Sequence, residues 1–173
     1  MAKTFLNAVA HGEKDIIQIL LDVLAETGAG YCVIGGLAVN AYVEPVVSLD
    51  LDVVVVSEGA EAVCAAAQAR GMKVERFEHS INLSMSGSDL RVQLQTDPRY
   101  QAFLSRAVER DVLGYRMSVA ALEDVLEGKV WAYSDEERRP SKRQKDLADI
   151  MRLVETHPHL KDQLPPEVQS LLE

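Results

Sequence analysis

The sequence predicts an α+β fold: a mixed β-sheet flanked by helices, with a helical C-terminal lobe. Three observations lead there. Strand-like runs alternate with helical stretches as far as Thr96. Beyond Asp97 helical spacing takes over, broken only by short extended and loop segments. The 173 residues are 47% hydrophobic, enough for a core without covalent staples. A single domain over 1–173 is expected, with the sheet and its helices in 1–112 and the helical lobe in 113–173.

Local pattern justifies each element. Residues 15–27 (DIIQILLDVLAET) carry apolar side chains at helical spacing, and Gly28 and Gly30 stop the helix. Tyr31-Cys32-Val33-Ile34 reads as a strand closed by Gly35-Gly36. A short helix follows to about Val43, where Glu44-Pro45 breaks it. Residues 49–56 are apolar apart from Asp50 and Asp52, which suggests a strand at the centre of the sheet. The alanine-rich stretch 58–70 is helical, and Gly71 caps it. Short strands are expected at 73–77 and 81–85, then a turn at Gly87-Ser88. Residues 89–96 alternate, with Leu90, Val92 and Leu94 on one face and Arg91, Gln93 and Gln95 on the other. Asp97-Pro98 opens a helix to about Glu109, in which Tyr100 and Phe103 would anchor to the sheet. A short extended piece at 114–117 precedes a helix capped by Ser118 and running through Trp131. After a loop at 134–140, a helix spans 141–155 and a proline-broken tail ends in a short helix near Leu171.

Composition narrows the setting. The net charge is −9, from 27 acidic against 18 basic residues, which disfavours nonspecific nucleic-acid binding by the whole surface. The basic residues are uneven: Arg138, Arg139, Lys142, Arg143 and Lys145 crowd together, a cluster able to approach phosphates. Cys32 and Cys64 both sit in apolar contexts and read as buried free thiols. No signal-peptide pattern and no membrane-length apolar stretch occur, so a cytoplasmic setting without membrane partners is expected.

The chemistry is concentrated in two glycines and two aspartates. Gly35-Gly36 ends one strand, and Asp50-Leu51-Asp52 begins the next after a short helix. Asp50 and Asp52 share a face, because strand side chains alternate. Paired carboxylates repel unless a cation lies between them, and Mg2+ is held by such oxygens together with substrate phosphates. Glycines allow close approach of backbone N–H groups to an anion. On the residues alone, a solvated D-x-D at a strand start remains the alternative.

Gly35, Gly36, Asp50 and Asp52, with Ser48 just before the carboxylates, resemble the signature of the polymerase-beta-like nucleotidyltransferase superfamily. The resemblance implies a nucleotidyltransferase-type sheet, a nucleoside triphosphate held with Mg2+, and transfer of a nucleoside monophosphate to an acceptor hydroxyl. It also implies a third carboxylate on a later strand. On residues 89–96 that slot falls best to Gln93, whose amide oxygen can coordinate a metal without charge, while Asp89 lies off register. Further on, Lys129, the arginines at 138 and 139, and Lys145-Asp146-Leu147-Ala148-Asp149 are similar to the AbiEii-like branch. There Lys129 and Lys145 would meet the triphosphate, Arg139 would assist from the loop, and Asp146 would be the helical acid. Lys145 and Asp149 equally suit an i,i+4 surface pair. The acceptor is left open among RNA, a protein side chain and a small molecule. A second reading is a catalytically silent binding or regulatory module, such as one partner of a toxin–antitoxin pair. A third is a purely structural α+β domain.

Overall fold

A strand rich in β-branched residues organises the molecule. The structure is a computed structural model and describes residues 1–172. Seven strands form one sheet: β1 (Tyr31–Ile34), β2 (Asp50–Val55), β3 (Lys73–Arg76), β4 (Ser80–Ser84), β5 (Arg91–Gln95), β6 (Val108–Val112) and β7 (Tyr115–Val119). Their order is β3-β4-β5-β2-β1-β7-β6, so β2 is the middle strand, as its near-continuous apolar sequence predicts. β2 runs antiparallel to β1 and parallel to β5, and β1 runs parallel to β7. The sheet is therefore mixed.

Among the described residues seven α-helices accompany it: α1 (Ala2–Val9), α2 (Ile16–Thr27), α3 (Gly35–Val39), α4 (Ala60–Ala69), α5 (Leu122–Ser134), α6 (Pro140–Thr156) and α7 (Pro166–Gln169). Asp15 caps α2 by accepting the Gln18 N–H at 3.0 Å, and Gly28 ends it in the left-handed region. The same Asp15 carboxylate accepts the Tyr115 hydroxyl at 2.8 Å, which ties α2 to β7. On β2, Leu51, Val53 and Val55 are buried on one face, while Asp50, Asp52 and Val54 occupy the other. A 3-10 stretch, Pro98–Arg106, crosses β2 on its way to β6. Tyr100, Phe103 and Trp131 form an aromatic cluster with centroid separations of 5.3–5.6 Å, joining that stretch to α5. Cys32 and Cys64 are free and buried, and burial pushes the Cys32 thiol up to about 12. No helix among the described residues is long and apolar enough to cross a membrane.

The structure departs from the sequence expectations mainly between Asp97 and Leu122. The stretch expected as a helix to Glu109 is a 3-10 segment that ends at Arg106. Val108 then begins a β-hairpin whose two-residue turn, Leu113-Gly114, has φ of 52° and 84°. Ser118, expected as a helix cap, lies in β7, where its N–H donates to the Tyr31 hydroxyl at 3.2 Å. The expected boundary between 112 and 113 thus falls inside the hairpin, and helix takes over only at Leu122. An edge strand with four exposed residues in five lacks the alternation that marks a half-buried strand.

Candidate functional site

Strand register assembles the site. Ile34 pairs with Asp52 across β1 and β2, which places Gly35 beside the Asp52 carboxylate. Gly35 has φ of 70°, and a Cβ there would lie 2.5 Å from Asp52 Oδ2. Both facts demand glycine. Gly36 is under less constraint: a Cβ would lie 3.6 Å from Ser48 Oγ, an ordinary contact. Ser48 is buried, and its hydroxyl accepts the Asp50 N–H at 3.3 Å, fixing the start of β2.

The two aspartates live in different surroundings. Both oxygens of Asp50 are engaged, Oδ2 by Lys142 Nζ at 2.7 Å and Oδ1 by Arg91 Nη2 at 2.9 Å. Burial pushes the Asp50 carboxyl up, but Lys142, Arg91 and Lys145 outweigh it and leave it below the usual carboxylate range. Asp52 is governed by burial, which raises its carboxyl; the more distant Lys129, Arg138 and Lys142 charges only partly offset this. The Asp50 charge adds to the rise.

Parallel pairing sets Asp50 beside Arg91 and Asp52 beside Gln93. The slot expected for a third carboxylate thus holds a neutral amide. Gln93 Nε2 donates to Asn82 Oδ1 at 3.3 Å and Ser80 Oγ at 3.4 Å, while its oxygen accepts from Gln95 at 3.4 Å. These are long bonds, so the amide row is loosely held.

The helical side contributes a buried charge cluster. Lys129 on α5 is 7% exposed and bridges two carboxylates of α6, Asp146 at 3.0 Å and Asp149 at 2.7 Å. Arg138 takes the other Asp146 oxygen at 2.6 Å, and Arg152 pairs with Asp149 at 2.8 Å. The pairing of Asp149 with Lys129 and Arg152 replaces the Lys145–Asp149 surface pair that the spacing allowed. Asp149 is buried, whereas Lys145 is exposed on α6 and acts on Asp50 only through its charge. Arg139, at the start of α6, is also exposed. Arg138, Lys142, Arg91 and Asp149 are brought together as well, residues that the sequence showed only as members of a basic run, a polar strand face and a helical motif, without individual roles in the site. The basic run from 138 to 145 was the available signal, but only the helix phase tells which of its members face inward.

A cavity of about 490 Å³ joins these parts. Gly35, Asp50, Asp52 and Gln93 line it from the sheet, and Lys129, Arg138, Lys142 and Asp146 from the helices. The sheet side carries Asp50 and Asp52 with Arg91, the helical side carries Lys129, Arg138 and Lys142 with Asp124 and Asp146, and the volume suits a nucleotide-sized ligand. Among the described residues no cluster of three or more His, Cys, Asp or Glu side chains is poised as a metal cage. The Asp50–Asp52 pair nevertheless fits one divalent cation whose remaining ligands come from substrate oxygens: the donors are hard, share a face, and both line the cavity.

No family model matches the chain, and no curated protein matches it in sequence. Solved structures do match in fold. ANT(2'')-Ia in complex with adenylyl-2''-tobramycin is 15% identical, with a TM-score of 0.66 over 91% of this chain and 94% of that one. The lincosamide antibiotic adenylyltransferase LnuA, lincomycin-bound, is 13% identical, with a TM-score of 0.58 over 83% and 99%. An antigenic nucleotidyltransferase-like protein from Paracoccidioides brasiliensis is 17% identical, with a TM-score of 0.56 over 91% and 84%. At these identities the likeness is one of fold, and the fold is nucleotidyltransferase-like.

Proposed function

We propose that this chain binds a magnesium nucleoside triphosphate and transfers the nucleoside monophosphate to an acceptor hydroxyl. The observation that carries the reading is one cavity in which Asp50 and Asp52 face Lys129, Arg138 and Lys142, with Gly35 pressed against Asp52. Asp50 and Asp52 would hold Mg2+, which supplies charge neutralisation at the reacting phosphate. Gly35 and Gly36 leave room for phosphate oxygens beside the carboxylates. Lys142 and Arg138 oppose the charge that builds on the departing pyrophosphate. Asp146 serves as a positioning residue, because Lys129 and Arg138 already engage both of its oxygens. Lys145 and Arg139, both exposed, add long-range attraction for the triphosphate. Asp52 lines the same cavity and is suited to accept a hydrogen bond from the acceptor hydroxyl.

Among RNA, protein and small-molecule acceptors, the net charge of −9 weighs against an extended polyanion and favours a small hydroxyl compound. The AbiEii-like branch rests on Lys129, Lys145 and Asp146, and a protein antitoxin as partner rests on that branch alone. Gln93 in the third-carboxylate slot supports a second reading, a fold retained for binding without turnover. Incubation with nucleoside triphosphates labelled at the α-phosphate, against pools of RNA, protein and small metabolites, separates the two. Label transfer that disappears in Asp52→Asn is expected; no transfer to any pool, with binding intact, would establish the silent module.

A further inference from the structure

The Asp50 carboxylate already has its cations. Lys142 Nζ and Arg91 Nη2 each hold one of its oxygens, at 2.7 and 2.9 Å, so a metal cannot take both oxygens of Asp50 without displacing them. The arrangement is built in rather than incidental. Arg91 is fixed opposite Asp50 by the parallel register of β2 and β5, and Lys142 projects from the first turn of α6. Both cations line the same cavity as the carboxylates. Two positive side chains balance the two negative ones, Asp50 and Asp52. A bare divalent ion arriving there would release two cations that Asp146 and Asp149 are not free to take up, since those carboxylates are already held by Lys129, Arg138 and Arg152. That outcome is electrostatically poor. A metal bound to triphosphate is different, because the complex is still net anionic and gives the two released side chains a partner.

We propose that Arg91 and Lys142 are internal counter-ions of the carboxylate pair, exchanged for a divalent cation only when the anion arriving with it takes them up. The inference rests on the nucleotide-binding reading above and adds to it a rule of order: metal and triphosphate bind together, and each binds poorly alone. It also assigns Arg91 and Lys142 two successive partners, Asp50 first and phosphate oxygens second. Linkage makes the coupling reciprocal, so the factor by which nucleotide improves metal binding equals the factor by which metal improves nucleotide binding.

The test uses Mn2+ as the probe, followed by the loss of the free-ion paramagnetic resonance signal, with and without a non-hydrolysable nucleoside triphosphate analogue. The native chain should bind Mn2+ weakly alone and far more tightly with the analogue. Arg91→Gln and Lys142→Met should each bind Mn2+ alone roughly threefold to fivefold more tightly than the native chain, the scale of one partly exposed ion pair. Each should also lose roughly threefold to fivefold of the enhancement given by the analogue. Arg91→Lys, which keeps the charge, should behave as native. The Arg91 side chain is 70% exposed, so Arg91→Gln leaves the core untouched. Variants that bind Mn2+ alone no better than native, while Mn2+ and analogue still bind together, would overturn the exchange and leave the nucleotide site standing. Native and variant chains that take up neither Mn2+ nor analogue would overturn both.

Discussion

Gly35 and Asp52 are the residues whose chemistry is most tightly constrained. Gly35→Ala sets a Cβ 2.5 Å from Asp52 Oδ2 and forces a left-handed φ on an L-residue. A loss of about 2 kcal/mol in a urea melt is expected. Asp52→Asn should do the opposite. Burial raises the Asp52 carboxyl, so the native state holds that proton more tightly than the unfolded chain does. Its contribution is fully present below the unfolded value of about 3.9 and is lost as pH rises through the raised folded value. Asn avoids the buried charge, and melts of the two proteins should differ by roughly 1 kcal/mol in favour of Asn at neutral pH. The difference should close below about pH 4. At this scale the sequence was half legible. Gly35, Asp50 and Asp52 stood out through spacing and strand alternation. The cations that face Asp50 did not, because Arg91 comes from a strand distant in sequence and Lys142 from the C-terminal lobe, and no local pattern announces either contact.

Between elements, the decisive contact is the seam of α5 and α6. Lys129 joins the two helices through Asp146 and Asp149 in a buried setting, so Lys129→Met leaves carboxylates short of a partner. A cost of about 3 kcal/mol is expected, read as a shift in denaturation midpoint. Lys145→Ala on the exposed face should change stability by no more than about 0.5 kcal/mol. If Lys145 proved as costly as Lys129, the phase assigned to α6 would be wrong. Helix phase also explains what the sequence hid. Lys142, Lys145 and Asp149 all lie within a few positions of one another, and only packing decides which point into the cavity. The β6–β7 hairpin was missed for a related reason: Glu109, Arg110 and Asp111 are exposed on an edge strand, and the 3-10 segment before it carries a helix-like start at Asp97-Pro98.

For the molecule as a whole, a chain of net charge −9 gathers Arg91, Lys129, Arg138 and Lys142 around one cavity that also holds the paired carboxylates Asp50 and Asp52. The mixed sheet with β2 at its centre produces that juxtaposition, since the strand carrying Asp50 and Asp52 is flanked by the strand leading to Gly35 and the strand carrying Arg91 and Gln93. The α+β architecture and the central place of β2 were legible from hydrophobic pattern, whereas the parallel pairing of β2 with β5 is non-local and surfaced only in three dimensions. The central claim is that this cavity binds a magnesium nucleoside triphosphate through Asp50 and Asp52. Calorimetric titration of the native chain and of Asp50→Ala/Asp52→Ala with Mg2+ and a non-hydrolysable nucleoside triphosphate tests it most directly. Saturable heat from the native chain, reduced at least a hundredfold in affinity in the double variant, is the result expected for loss of both metal ligands. Binding that is unchanged in the double variant, or absent from the native chain, would contradict it.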